Sequence, residues 1–386
     1  MFIRAVSIVA VLVVLPGCLG LLPGISSGRI VPDIHEGTPP PGPVSLIAEW
    51  EPALGALVHW PLHVPEDLVR EIAEDDILFV VTAPDDVAEV RRSLEALGIR
   101  PESMRVIASG AESWYPRDYG PHQIFDGEGR FGILDQVFAG WPLFEQEGEP
   151  WKIDEPDVTF RARGDDDGVE WDIAAALGVP VWRMPAFLTG GNFLVDGRGT
   201  AFCSDAQVDE NLAIHDEESF RDVLRTYVGV ERLVVMPNTE RWGIQHIDCW
   251  LKVLDPERLL VKRVTADHPE HERLERNVEA LSALTTSSGG RFEIVRIDCP
   301  PIDRKAMDDE DSPTAAYTNS LILNRKVLVP LYGVEGDAAA LETWRGAMPG
   351  YEVIGFEYDD WQTFDALHCR TRAVFDPTAR RPVPAR

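Results

Sequence analysis

What most constrains this chain is a repeat. From Val44 onward one pattern of strand, turn, strand, helix and strand recurs five times. In the clearest copy, beginning at Tyr317, Ser320 to Leu323 meets the turn Asn324-Arg325-Lys326 and then Val327 to Pro330. A helix follows, with Asp337 at its N-cap, Ala340, Leu341, Trp344 and Ala347 at helical spacing, and Gly350 to stop it. Val353 to Phe356 is the third strand. Another copy runs Asn192 to Val195, the turn Asp196 to Gly199, Thr200 to Cys203, a helix near Glu217 to Tyr227, and Leu233 to Met236. A further copy runs Cys249 to Leu254, Leu259 to Val264, a helix through Leu274, Val278 and Leu281, and Phe292 to Ile297. The copy at Tyr119 to Phe125 turns at Asp126 to Gly129 and continues Phe131 to Phe138; its helix, Trp171 to Leu177, comes after an acidic insertion. The first copy takes Leu46 to Trp50, Ala56 to Trp60, a helix near Glu66 to Ala73 and Ile77 to Val81, with an extra helix at Val87 to Leu97. Asp-Gly turns between alternating strands are hairpin chemistry.

Units recurring at tens of residues predict an α/β fold closed into a five-bladed ring of ββαβ blades, an α/β propeller. A doubly wound sheet is the competing parse. The candidate polar residues fall near the entry to each unit, and a ring points those entries at its axis. Apolar residues make up 45% of the chain, ample for a buried core.

The front of the chain reads differently. Met1 to Cys18 has a basic start at Arg4, an apolar run from Val6 to Leu15 and then Leu15-Pro16-Gly17-Cys18, which looks like a bacterial lipobox with Cys18 as the lipidated residue. An ordinary signal peptide is the alternative. Residues 19–43 are rich in Gly, Pro and Ser and read as a flexible tether, leaving 44–380 as the catalytic domain. The expectation is an exported, membrane-anchored lipoprotein. Asp and Glu outnumber Lys and Arg by 65 to 36, for a net charge of −29. Such a surface repels nucleic acid and anionic membranes, leaving the anchor as the membrane contact, and is biased toward cationic ligands. Cys203, Cys249, Cys299 and Cys369 then remain as two disulfides, or as one catalytic thiol with three buried cysteines. No Cys/His zinc spacing is visible, and no metal or cofactor is expected.

Several stretches could carry chemistry. Cys369 lies in Ala366-Leu367-His368-Cys369-Arg370-Thr371, at the mouth of a predicted strand, and a thiol near its reference pKa needs neighbours to become a thiolate. Trp114-Tyr115-Pro116-Arg117-Asp118 offers a carboxylate beside an aromatic face, as a guanidinium requires, or simply a turn with an Asp–Arg pair. In Gln245-His246-Ile247-Asp248, an extended backbone puts His246 and Asp248 on one face, either as an acid/base pair or as a satisfied strand-end pair. Thr189-Gly190-Gly191-Asn192 permits close backbone approach or is only a turn, and Asn319 is an orienting amide or a strand-entry hydrogen bond. Arg161 and Arg163 share a face if extended and either hold an anionic group or neutralise the aspartates that follow.

Together these segments, with Ala48-Glu49-Trp50-Glu51-Pro52 and His59-Trp60-Pro61, resemble the bacterial (Porphyromonas-type) peptidylarginine deiminases and their relative agmatine deiminase, over about Ala48 to Asp376. The resemblance implies a five-bladed α/β propeller. It implies Cys369 as nucleophile, His246 as acid/base, Asp118 and Asp248 as carboxylates on the guanidinium, Trp114 against it and Asn319 in support. Arg161 and Arg163 resemble a pair that grips the carboxylate of a C-terminal arginine, although Ala162 stands where that pattern has proline and an insertion intervenes. Thr189 replaces the acidic residue that precedes Gly-Gly in the agmatine type. The expected reaction is hydrolytic deimination of peptidyl-arginine, at a C-terminal arginine, to citrulline and ammonia through a cysteine thiouronium. An agmatine or free-guanidine deiminase, an amidinotransferase, and a non-catalytic lipoprotein binding cationic peptides are the other readings.

Overall fold

The computed structural model describes residues 37–138, 140, 142–144, 158–160, 166–212, 214–240, 244–303 and 312–379, with 142–144 and 158–160 as backbone alone. The leader with Cys18, the tether up to residue 36, and Arg161 and Arg163 lie outside the described residues. Among those described, no helix is long and apolar enough to cross a membrane.

The five expected units are present as five blades of an α/β propeller. In three of them a short strand pairs antiparallel with the next, which pairs parallel with a third after a helix. These blades are Leu194–Val195, Thr200–Ser204 and Arg232–Met236; Leu251–Val253, Arg258–Arg263 and Glu293–Asp298; and Leu321–Leu323, Lys326–Leu331 and Glu352–Glu357. A fourth runs His122–Phe125, Phe131–Val137 and Val181–Phe187, with Ser45–Leu46 added outside His122–Phe125. The remaining blade orders Arg372–Phe375, Ala53–His59, Ile77–Thr82 and Met104–Ala108. A small hairpin, Pro142–Phe144 with Val158–Phe160, stands in the insertion.

This arrangement corrects one expectation. Leu46 to Trp50 is not the first strand of the first unit: Ser45 and Leu46 pair with Phe125 and Ile124 in the neighbouring sheet. The edge of the first sheet is taken by Arg372–Phe375, arriving from the far end of the sequence and closing the ring. Local alternation identifies a strand, but its partner is a long-range choice. Gln123 fastens the closing strand on its other side, donating from Nε2 to the Ala373 carbonyl at 2.8 Å and accepting from the Phe375 amide at 2.8 Å.

Local chemistry explains why each unit forms. Asp126, Asp196 and Asp255 each turn their Oδ1 onto amides two residues ahead, at 2.9, 2.7 and 2.8 Å, so the same turn is built three times. The helix Glu217–Val228 is capped by Asp216, which accepts from the Ser219 amide at 2.8 Å, and ends at Gly229 with φ of 69°. Its buried Phe220, Leu224, Tyr227 and Val228 form one stripe against the sheet. Asp337 is not an N-cap: it lies inside the helix Gly336–Ala347, and its carboxylate gathers the amides of Tyr332, Gly333 and Val334. The first strands face the axis; Leu194–Val195 touches Leu251–Val253, and Leu321–Leu323 touches Arg372–Phe375. Each blade therefore delivers the residues just before its first strand to the axis.

Candidate active site

Those entries hold the expected residues. Asp118 precedes His122–Phe125, Gly191 precedes Leu194–Val195, His246 and Asp248 precede Leu251–Val253, Asn319 precedes Leu321–Leu323, and Cys369 precedes Arg372–Phe375. Cys369 is buried, and its sulfur receives a hydrogen bond from Asn319 Nδ2 at 3.2 Å. Asn319 Oδ1 accepts the amides of His368 and Cys369 at 3.0 and 3.2 Å, fixing the backbone that carries the thiol. Asp248 Oδ2 is 4.0 Å from the sulfur.

Asp118 and His246 meet across Gly191. Asp118 Oδ1 accepts the Gly191 amide at 3.1 Å and lies 3.6 Å from His246 Nδ1. A Cβ on Gly191 would come within 2.7 Å of both Asp118 Oδ1 and His246 Nδ1, and within 3.2 Å of Asp248 Oδ2. Three side chains thus converge on a position whose lack of a Cβ leaves them room. His246 and Asp248 reach this point by a different route from the extended one expected: Ile247–Cys249 is a 3-10 turn, entered through Gln245 at φ 58°. Asn192 pins that turn, its Oδ1 accepting the Ile247 amide at 3.0 Å and the Ser204 amide at 2.9 Å. His246 Nδ1 is buried without a hydrogen bond among the described residues.

Behind this group lies a chain of buried charges that sequence reasoning did not assign. His368 Nδ1 faces Asp248 Oδ2 at 2.6 Å and its Nε2 faces Glu49 Oε2 at 2.5 Å. Glu49 in turn meets Lys252 Nζ at 2.5 Å and Arg117 Nη2 at 3.2 Å. Glu49 and His368 stand inside motifs quoted above, but nothing in their spacing says that they touch. Lys252 did carry a signal, being a lysine inside the apolar strand Leu251–Val253.

The electrostatics follow from burial and pairing. Burial pushes the Cys369 thiol well up, and the charges of Asp248, Asp365 and Asp118 push it further against the bond from Asn319. Burial disfavours ionised Asp248, but the hydrogen bond and charge of His368 hold it below its ordinary value. Glu49 behaves likewise: burial raises it, and His368, Lys252 and Arg117 bring it well below. Burial and then Arg117 lower His368, against the two carboxylates that favour its charged form. The pocket therefore holds ionised acids beside a protonated thiol. A planar cation between Asp118 and Asp248 would offset the charges that oppose thiolate formation.

Trp114 is not drawn into this cluster; it is exposed and stacks on His63, with ring centroids 4.3 Å apart. Cys203, Cys249, Cys299 and Cys369 are all buried free thiols, which decides between the two cysteine readings. Thr189, standing where an acid was expected for the agmatine type, contacts Glu210, whose carboxyl burial keeps well above the usual range.

Comparison with known proteins agrees with this fold. The agmatine deiminase of Medicago truncatula is 25% identical over 366 residues, covering 83% of this chain and 93% of that protein. Among solved structures, the agmatine deiminase of Enterococcus faecalis superposes with a TM-score of 0.72 at 21% identity, covering 87% of this chain and 96% of that one. The agmatine deiminase of C. jejuni superposes at 0.66 with 17% identity, covering 86% and 96%. The family model described as Porphyromonas-type peptidyl-arginine deiminase matches residues 45–374. With nearly the whole propeller inside that match, the chain belongs to the Porphyromonas-type peptidyl-arginine deiminase family, guanidino-group hydrolases acting on amidine C–N bonds.

Proposed function

We propose that the protein hydrolyses a small free guanidinium compound of the agmatine class to the ureido product and ammonia, with Cys369 as nucleophile. The observation that carries the chemistry is the meeting of Asp118, His246 and Asp248 across Gly191, beside a sulfur held by Asn319. Asp118 and Asp248 bind the guanidinium and keep it charged. The thiol proton passes to His246, and the thiolate attacks the guanidinium carbon. The carbon–nitrogen bond to one terminal NH2 then breaks, and that nitrogen leaves as ammonia with the proton from His246. Water, deprotonated by His246, attacks the S-alkylthiouronium carbon, and the thiol departs to leave the ureido product.

The substrate's size is the finer part of the proposal. Support for the agmatine class comes from the relative and the two solved structures that carry that name. A second reading, arginine within or at the end of a peptide, is favoured by the family match and by Thr189 at the position before Gly-Gly. Agmatine, free arginine, a peptide ending in arginine and one with internal arginine, assayed side by side, separate them. Ammonia release with a gain of about one dalton from agmatine, absent in Cys369→Ala, is the expected result. Turnover of the peptides alone establishes the second reading, and turnover of none sinks both.

A further inference from the structure

A cavity opens on the axis, and none of Cys369, His246, Asp118 or Asp248 lines it. Its volume is about 50 Å³, and its polar wall consists of Arg117, Arg372, Lys252, His122, Gln123 and Glu49. Adjacent residues serve the thiol site and the cavity. A Cβ on Gly191 would strike Asp118 and His246, whereas one on Gly190 would strike Arg372 Nη1 and the Arg117 carbonyl. Likewise Asp118 lies against His246, and Arg117 lines the cavity.

The charge lining this cavity is not balanced by the carboxylate it holds. Three cations line it against one carboxylate, in a chain of net charge −29. Glu49 is already shared among Lys252, Arg117 and His368. Among the described residues Arg372 has no carboxylate within ion-pair distance. It donates to the carbonyls of Pro121 and Arg117 and meets His122 Nδ1 at 3.2 Å, using three of its five N–H donors. Arg117 is buried, and its Nη2, though 3.2 Å from Glu49, has no hydrogen-bond partner among the described residues. Burial, with Arg117 beside it, pulls the Arg372 guanidinium down to about 9, and burial with Arg372 pulls His122 well below its usual range. Buried guanidiniums with unused donors, one without a carboxylate partner and the other sharing a single carboxylate with a lysine, are the donor set that oxyanions take.

We infer that this axial cavity is a binding site for a small oxyanion, held by Arg372 and Arg117 with Lys252 beside them. Inorganic tetrahedral anions and small carboxylates share the required chemistry. An anion there competes with Glu49 for Arg117 and Lys252. Glu49 contacts His368, and His368 contacts Asp248, so occupancy is communicated to the Cys369 site through a line of direct contacts.

The test uses the whole protein, with selenate as the tetrahedral probe, acetate as the carboxylate probe and chloride at matched ionic strength as the control. Calorimetry is expected to show saturable one-to-one binding of selenate, of acetate or of both, which names the source. Binding should be weaker by about tenfold or more in Arg372→Gln, which removes a fork, and in Val195→Asp, which puts a carboxylate on the cavity wall. Crystals grown with selenate are expected to show an anomalous peak beside Arg372 and Arg117. Should Arg372→Gln fail to fold, Val195→Asp and the anomalous map decide. The inference is overturned by any of three results: no saturable binding of either oxyanion, equal displacement by chloride, or a selenate peak outside the cavity.

Discussion

Asn319 holds Cys369 at both ends: its Nδ2 donates to the sulfur at 3.2 Å while its Oδ1 accepts the Cys369 amide at 3.2 Å. The first bond favours the thiolate and the second fixes where it points. Asn319→Asp keeps the acceptor and turns the donor into a like charge. We expect kcat to fall by about 100-fold, within the range seen when a positioned donor is lost. The rate of iodoacetamide labelling should move to higher pH. An unchanged labelling profile would remove Asn319 from the chemistry.

Asp118 has two opposed effects. Its charge helps to keep the Cys369 thiol protonated, yet it stands ready for the cation. Asp118→Asn should therefore make the resting thiol more reactive toward iodoacetamide at neutral pH, while turnover drops by about 100-fold or more. Labelling and activity moving in the same direction would contradict this account.

The two glycines of Gly190-Gly191 should fail differently. A Cβ at 190 meets the Arg117 carbonyl at 1.9 Å, a backbone atom with little room to yield. Gly190→Ala should lower the thermal midpoint or prevent folding. A Cβ at 191 meets side chains, Asp118 and His246, at 2.7 Å. Gly191→Ala should fold, shown by circular dichroism, and lose most activity.

Gln123 substitutes for a missing strand beside Arg372–Phe375. Gln123→Ala leaves the Ala373 carbonyl and the Phe375 amide without these partners in a buried place. A loss of about 2 kcal/mol in urea unfolding is expected. A loss no larger than that of an exposed glutamine would show that the clamp is dispensable.

Glu240 gives stability a pH dependence. Burial, with Glu270 adding to it, raises its carboxyl to about 8. Between about 4.3, the value in an unfolded chain, and that point, the folded protein retains a proton that the unfolded chain releases. This group's contribution to stability therefore declines as pH rises through that window. Glu240→Gln, neutral throughout, should gain in thermal midpoint over wild type on going from pH 5 to pH 8. A constant difference would refute the assignment.

Much of this was legible in the sequence because it is written in local chemistry. Asp126, Asp196 and Asp255 announce their own turns, and Asp216 and Gly229 bound their helix. Cys369, His246, Asp118, Asp248 and Asn319 could be chosen from their residue types and motifs, with their roles implied by the family resemblance. Long-range pairings were not legible. Nothing near Ser45 says that it joins His122–Phe125, and nothing near His368 points to Glu49, 319 positions away. Asp337 misled for a similar reason: a carboxylate near a helix start caps either the helix or the loop before it, and only the path of Tyr332 to Val334 decides.

The last blade strand begins three residues after Cys369 and is laid against Ala53–His59, one of the earliest strands made. During synthesis the four sheets that lie between them in the sequence can assemble while the Ala53–His59 edge still waits for a partner. The sulfur reaches its acids only as that seam is drawn shut, so a nascent or truncated chain carries no competent thiol. Maturation of the catalyst and completion of the ring are one event.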